Sequence, residues 1–473
     1  MPQRSFSALS VTARAEALLD PGTLQVLPPD GGERTVVLAA RGRMQGRRVI
    51  LALTDGHRRG GTLGQAEARQ LSHLIAAAED HEAGVAVCWD TGGVRVQEGP
   101  AALAAASAVG VALTRLALLG VPVASVISGP RGCFGAPSVI ACAGHRTAIT
   151  ADAMWGLTGP QLLDHPNAPA SEEAARTAMS AAARVRAGHA DAMLPDTPGA
   201  VRAQLGAWLA QRPHGRTAPH VLDHSAAVTE ALLAQLEATP APPALPGDGP
   251  APRRRDLFAY SFRRQWRPTG PSIRVGHVHA AWGELAGHEV MAIIVGPERS
   301  HLGIGIEDAH AIVHAVQLAI ERSRRAPAPI ITFVFCRGHA SELAAERAGL
   351  PRALAECLRS MVVARLLGHP LLCVLGGGAY GAAYLALAAP SHRVLAIRGT
   401  TVAPMAPRVL AAFQRLRGVR HDEHIPEDLA RHVPEIRIVE SVVRLPRVLG
   451  EELHAAEEAA RAEGRRPRLC LPA

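Results

Sequence analysis

The 473-residue chain contains no lysine, so all 50 of its Lys and Arg residues are arginine. Chemistry that needs an amine on this polypeptide is excluded. No Walker A lysine can grip a triphosphate, no Schiff base can form with pyridoxal phosphate, and no lysine can carry biotin or lipoate. A swinging carrier, if one takes part, is another polypeptide. Aromatic residues make up only 3%, so a core must be built from Ala, Val, Leu and Ile, and platforms for stacking bases are scarce. There is no C-x-x-C pair and no H-E-x-x-H, and His310 with His314 on a predicted helix has no evident set of carboxylate partners; no metal site is expected. The seven cysteines (Cys88, Cys133, Cys142, Cys336, Cys357, Cys373 and Cys470) are odd in number and several lie in apolar runs, which suits reduced, buried thiols. No apolar run reaches the ~18 residues of a membrane span, and the N-terminus shows no signal-peptide pattern. The expectation is a soluble, cytoplasmic protein with neither a membrane nor a nucleic-acid partner.

What the chain does have is an internal echo. An apolar run, Val121-Pro122-Val123-Ala124-Ser125-Val126-Ile127, enters the turn Gly129-Pro130-Arg131-Gly132-Cys133-Phe134-Gly135 and then an Ala-rich stretch. The same design returns with Pro370-Leu371-Leu372-Cys373-Val374-Leu375, the turn Gly376-Gly377-Gly378-Ala379-Tyr380-Gly381, and a second Ala-rich stretch. Each reads as a buried strand, a tight turn and the start of a helix, a geometry that aims backbone N–H groups outward at developing negative charge. Length alone suggests two domains of roughly 200 residues each. The proline-rich stretch at 239–258 is the natural linker between a first domain at 1–238 and a second at 259–473. The net charge of +8 is delocalised guanidinium, suited to phosphate and carboxylate recognition, or is compositional bias.

Patterning predicts a short capped helix at 10–20 and strands at 34–40 and 48–54. A helix at 63–79, a strand at 84–89, an Ala-rich helix at 97–119 and a strand at 146–150 follow. The second half repeats the order: strands near 273–295, a helix at 306–322, a strand at 330–335, a helix at 350–367, the glycine turn with its helix, a strand at 393–397 and a helix in the 400s. Both halves are therefore α/β, alternating strand and helix with glycine turns at strand ends.

The run Asp90-Thr91-Gly92-Gly93-Val94-Arg95-Val96-Gln97-Glu98-Gly99, then Gly129 to Gly135 and Leu157-Thr158-Gly159-Pro160, resembles the β subunit of biotin-independent malonate decarboxylase. The Leu-Ser-x-x-x-Arg pattern opening 9–22 and Gly60-Gly61-Thr62-Leu63-Gly64 are similar too. Through Gly303-Ile304-Gly305-Ile306-Glu307 and the turn at 376–381, the second half is similar to the γ subunit, as in a β–γ fusion. The resemblance implies two crotonase-like (ββα superhelix) carboxyltransferase domains in tandem, related by pseudo-symmetry, with the active site between them. It implies decarboxylation of a malonyl-type thioester to the acetyl thioester and CO2, with no covalently bound cofactor. The substrate would be carried on CoA or on the phosphopantetheine-type arm of an acyl carrier protein. A separate acyl-carrier transferase subunit and a homo-oligomer of the chain are the implied partners.

Decarboxylation leaves an enolate, which backbone amides can stabilise. We assign a first oxyanion hole to Gly92, Gly93, Gly132, Cys133, Phe134 and Gly135, and a second to Gly377, Gly378, Tyr380 and Gly381. Cys133 contributes its amide rather than its thiol, since no paired base is evident. Tyr380 is either a proton donor or a packing residue. Substrate contacts are assigned to Arg95, Gln97, Thr158, Gly159 and Ser341, with the alternatives that Arg95 braces the turn and that Gln97 and Glu98 open a helix. The loop Arg337-Gly338-His339-Ala340-Ser341 stands where the family has a Ser-Gln-Ala-Tyr-Gly type, and Tyr380-Gly381 replaces a small Ser-Gly turn. A biotin-dependent acyl-CoA carboxyltransferase and a non-catalytic carrier-binding scaffold remain as alternatives; the absence of a four-cysteine zinc ribbon weighs against the bacterial acetyl-CoA form of the former.

Overall fold

The computed structural model describes residues 5–29, 34–81, 83–163, 172–211, 266–296, 303–323, 325–417, 430, 433 and 436–463. The expected linker at 239–258 lies outside the described residues.

Each half builds a seven-stranded sheet with one topology. In the first lobe β1 (Gln25–Leu27), β2 (Val37–Met44) and β3 (Arg47–Thr54) pair antiparallel, and β4 (Gly84–Trp89), β5 (Val123–Ile127), β6 (Arg146–Thr150) and β7 (Ala192–Leu194) continue in parallel from β3. In the second lobe β8 (Arg267–Val275), β9 (Val278–Leu285) and β10 (His288–Val295) form the antiparallel part. Then β11 (Ile330–Val334), β12 (Leu371–Leu375), β14 (Arg393–Ile397) and β16 (Ile436–Val439) follow in parallel. The central parallel strands β4, β5, β11 and β12 are mostly apolar and almost wholly buried, as strands covered on both faces must be. One face of each sheet packs into a core continuous through both lobes, while the other faces are covered separately.

Several predicted elements sit at their expected bounds, including β4, β6, β14 and the helix Ile306–Arg322. Ser10 caps α1 (Val11–Leu18), its hydroxyl accepting from the Ala13 amide at 3.2 Å. After α2 (Gln65–His81), α3 spans Gly99–Leu118, so Gln97 and Glu98 precede it in a 3₁₀ turn rather than opening it. The segment Val96–Leu118 is long and apolar enough to cross a membrane by length and composition, a pattern that reading for unbroken apolar runs misses; 67% of its most apolar window is buried in this fold. It packs across the lobe boundary against the helix Leu350–Leu366.

The second glycine turn contains a short strand: β13 (Gly378–Tyr380) pairs in parallel with β15 (Thr401–Ala403), and the expected helix follows at once from 382, running as a π-helical turn over Tyr384–Ala388. In the first lobe Cys133 bridges Trp155 at the corresponding place, and the turn runs on into the short helix α4 (Ala136–Ile140).

Candidate active site

The loops after β4 and β5 of the first lobe meet those after β11 and β12 of the second around a cavity of about 670 Å³. Of the assigned residues, Gly92, Gly93, Phe134, Gly135, Thr158, Gly159, Ser341, Tyr380 and Gly381 line it. Gly132, Cys133, Gly377, Gly378, Arg95 and Gln97 do not.

The amides assigned to the first lobe are all hydrogen-bonded within the protein. The Gly92 amide donates to Gly60 O at 2.8 Å and that of Gly93 to Thr91 Oγ1 at 3.2 Å. Those of Gly132, Cys133, Phe134 and Gly135 donate to the carbonyls of Gly129, Met154, Thr91 and Leu157. All six assigned amides are therefore committed within the protein. Val94 and Ala136 also line the cavity, and their amides donate to no other described residue. The two glycines make this possible: Gly93 has φ 119° and Gly135 has φ 64°, a region that favours glycine and turns the following amide outward. Gly135 is the N-cap of α4, so the Ala136 amide is one that the helix cannot use itself.

The second lobe repeats this wiring. Leu63 N–H donates to Gly93 O and Arg95 N–H to Leu63 O; correspondingly, Ile304 N–H donates to Gly338 O and Ala340 N–H to Ile304 O. Gly135 N–H donates to Leu157 O, and Gly381 N–H to Ala403 O. His339 and Ala382 are thus the counterparts of Val94 and Ala136, and their amides also donate to no other described residue. Gly377 and Gly378 serve packing instead. A Cβ on Gly377 would fall 2.4 Å from Phe335 O, and one on Gly378 would fall 2.1 Å from the Tyr380 ring. The Tyr380 hydroxyl is hydrogen-bonded to Thr401 Oγ1, and the residue is 5% exposed.

Arg95 braces the turn. It pairs with Glu67 at 2.9 Å and Glu98 at 2.7 Å and donates to Thr62 O at 2.8 Å. Burial pushes the Glu67 carboxyl up, but Arg95 and backbone donors outweigh it and hold the carboxyl below its usual range. Gln97 is exposed, away from the cavity. Cys133 is fully buried, and burial pushes its thiol well above the ordinary range, so the sulfur is no nucleophile. Asp90, at the head of the loop, is also fully buried; desolvation pushes its carboxyl up, against the Arg131 amide at 3.0 Å and the Arg14 guanidinium at 3.8 Å.

Two residues to which sequence reading assigned no role bind the lobes together here. His339 Nε2 lies 3.4 Å from Thr158 Oγ1, and desolvation lowers the imidazole to about 4, keeping it neutral. Glu346, fully buried, accepts from the amides of Leu157 at 2.8 Å and Thr158 at 2.7 Å and pairs with Arg184 at 2.9 Å. Desolvation pushes its carboxyl upward, with Arg184 opposing. A sequence signal existed for His339, which follows a glycine as Val94 does. None existed for Glu346, one glutamate among many on a helix.

Residues 299–447 match the malonate decarboxylase gamma subunit family, and residues 23–239 match the carboxyl transferase domain family. The chain belongs to the carboxyltransferase family, in its malonate decarboxylase branch. Its two halves join a carboxyl transferase domain and a gamma-type domain on one polypeptide. A chain of a Pseudomonas malonate decarboxylase heterodimer is 33% identical, over 97% of that chain and 48% of this one, with a TM-score of 0.41. The propionyl-CoA carboxylase beta chain of Rhodococcus erythropolis is 36% identical over 117 residues, 25% of this chain and 24% of that protein. The fused beta/alpha carboxyl transferase subunits of acetyl-coenzyme A carboxylase from Saccharopolyspora erythraea are 25% identical over 90% of this chain and 74% of theirs. The chain spans 24%, 34% and 49% of the length of three of the carboxylase relatives it matches.

Proposed function

We propose that the chain decarboxylates a malonyl-type thioester, borne on CoA or on the phosphopantetheine-type arm of a carrier protein, to the acetyl thioester and CO2. The observation that carries this reading is the pair of uncommitted amides, Val94 and Ala136, on one wall of a cavity shared by both lobes. When the bond between the α-carbon and the carboxylate breaks, its electron pair passes into the thioester and its carbonyl oxygen becomes an enolate oxygen. Fixed N–H donors at that oxygen stabilise the transition state more than the bound substrate, each contributing roughly 3 kcal/mol. The departing carboxylate faces the second lobe, where His339 and the Arg337 side chain line the cavity and offer an amide and a positive charge. A proton added to the α-carbon completes the acetyl group. The inferred partners are an acyl carrier or CoA, a separate subunit that loads the carrier, and further copies of this chain, in the cytoplasm.

The test is CO2 release from malonyl-CoA and malonyl-carrier thioesters by the purified chain, without biotin or ATP. Acetyl thioester formed above the spontaneous rate is expected. The acetyl-coenzyme A carboxylase relative that aligns over 90% of the chain favours a second reading, carboxyl transfer to biotin. Conversion of the malonyl to the acetyl thioester only when biotin is added, with carboxybiotin formed in place of CO2, would replace the first reading with the second; thioester binding with neither reaction would make the chain a carrier-binding scaffold.

A further inference from the structure

The first hole is not held by the first lobe alone. The Ala136 amide is aimed by Gly135, whose own amide is fixed on Leu157 O at 3.0 Å. Leu157 in turn is fixed from the other lobe, because its amide and that of Thr158 converge on Glu346 Oε1 at 2.8 and 2.7 Å. The other carboxylate oxygen, Oε2, is held by Arg184 Nη2 at 2.9 Å, and Arg184 Nε donates to Trp155 O at 2.7 Å. Trp155 is bridged to Cys133 of the same glycine turn. Arg184 and Glu346 are 1% and 0% exposed, so water cannot substitute for either. A bare buried ion pair is poor evidence for stability, since desolvation offsets its attraction. This carboxylate, however, is the common acceptor for two adjacent amides on the wall of the cavity, a task that an apolar residue cannot perform.

We propose that Glu346 is a positioning residue of the second lobe that sets the first-lobe oxyanion hole, through Leu157 and Gly135, so that the hole is complete only when the lobes are docked. The proposal deepens the reading of the cavity as an enolate-stabilising site, on which it rests. The substrate is polarised only where both lobes meet.

The test compares two paired exchanges that both remove the buried charges: Glu346→Gln with Arg184→Met, and Glu346→Leu with Arg184→Met. They differ in the acceptor offered to the Leu157 and Thr158 amides. The readouts are kcat and KM for malonyl-CoA, and the infrared stretch of the ¹³C-labelled thioester carbonyl of bound acetyl-CoA, which reports polarisation without turnover. The expected result is a kcat near wild type for the Gln pair and about a hundredfold lower for the Leu pair, the loss typical of an impaired oxyanion hole, with KM little changed. The carbonyl stretch should move toward its free-solution value only in the Leu pair. Equal kcat and equal stretch in the two pairs would overturn the proposal. If the wild type fails to decarboxylate, the stretch still decides about Glu346, so the two failures are separable. Should the Leu pair not fold, Glu346→Asp withdraws the acceptor while keeping the charge; an unmoved stretch there would equally overturn it.

Discussion

Gly135 faces Gly93 across the first hole so closely that a Cβ added to Gly135 would lie 3.5 Å from Gly93 Cα and 3.9 Å from the Val94 amide nitrogen. The added methyl would thus stand beside one of the two uncommitted donors, on a backbone whose φ of 64° disfavours any side chain. Gly135→Ala is expected to lower kcat about a hundredfold, the scale of a lost oxyanion donor. Steady-state kinetics with a malonyl thioester checks this, and unchanged kcat would remove the hole from the mechanism.

Arg95 should matter to stability rather than to substrate. Its removal leaves Glu67, 1% exposed, as a buried carboxylate without its cation. Breaking such a pair from one side costs roughly 3–5 kcal/mol. Arg95→Met should therefore shift the urea midpoint strongly while KM measured on the folded fraction stays put. A raised KM with unchanged stability would restore Arg95 as a substrate ligand.

Tyr380 separates packing from proton donation. Its hydroxyl is engaged with Thr401 and its ring covers Gly378. Tyr380→Phe keeps the ring and should cost about 1 kcal/mol of stability, the usual net worth of one hydrogen bond, with kcat nearly unchanged. A large fall in kcat accompanied by an altered solvent isotope effect would instead identify the hydroxyl as the proton donor.

The buried histidines predict a pH window. Burial lowers His339 from 6.5 to about 4, and burial with Arg184 and Arg352 nearby does the same for His189. Between these values the unfolded chain binds protons that the folded chain refuses, so stability rises with pH in this range. The contribution is fully present above pH 6.5 and is lost as pH falls toward about 4. Urea unfolding at several pH values should show this slope, and His339→Asn should flatten it; an unchanged slope would mean that the ring is not desolvated.

Much of the fold is legible in the sequence because period and punctuation are local. Strands β4 and β14 are short, mainly apolar runs closed by turn residues, and the helix Ile306–Arg322 carries acidic residues in its first turn and an arginine in its last. The echo of strand and glycine turn marks two lobes, and Gly92, Gly93 and Gly135 mark turns on the wall of the cavity. The absence of lysine settles that no amine chemistry or attached biotin belongs to this chain. What tertiary structure alone decides is which amides remain to be used. An N–H group is available only if no carbonyl meets it, and the carbonyls of Gly60, Met154 and Leu157 that take up the amides of Gly92, Cys133 and Gly135 come from loops remote in sequence. The same holds for Arg95, whose role depends on Glu67 being folded beneath it, and for Glu346, which meets Leu157 across a separation of 189 positions in the chain. Local pattern fixes the turns; the competition for their hydrogen bonds is long-range, and only the packed fold resolves it.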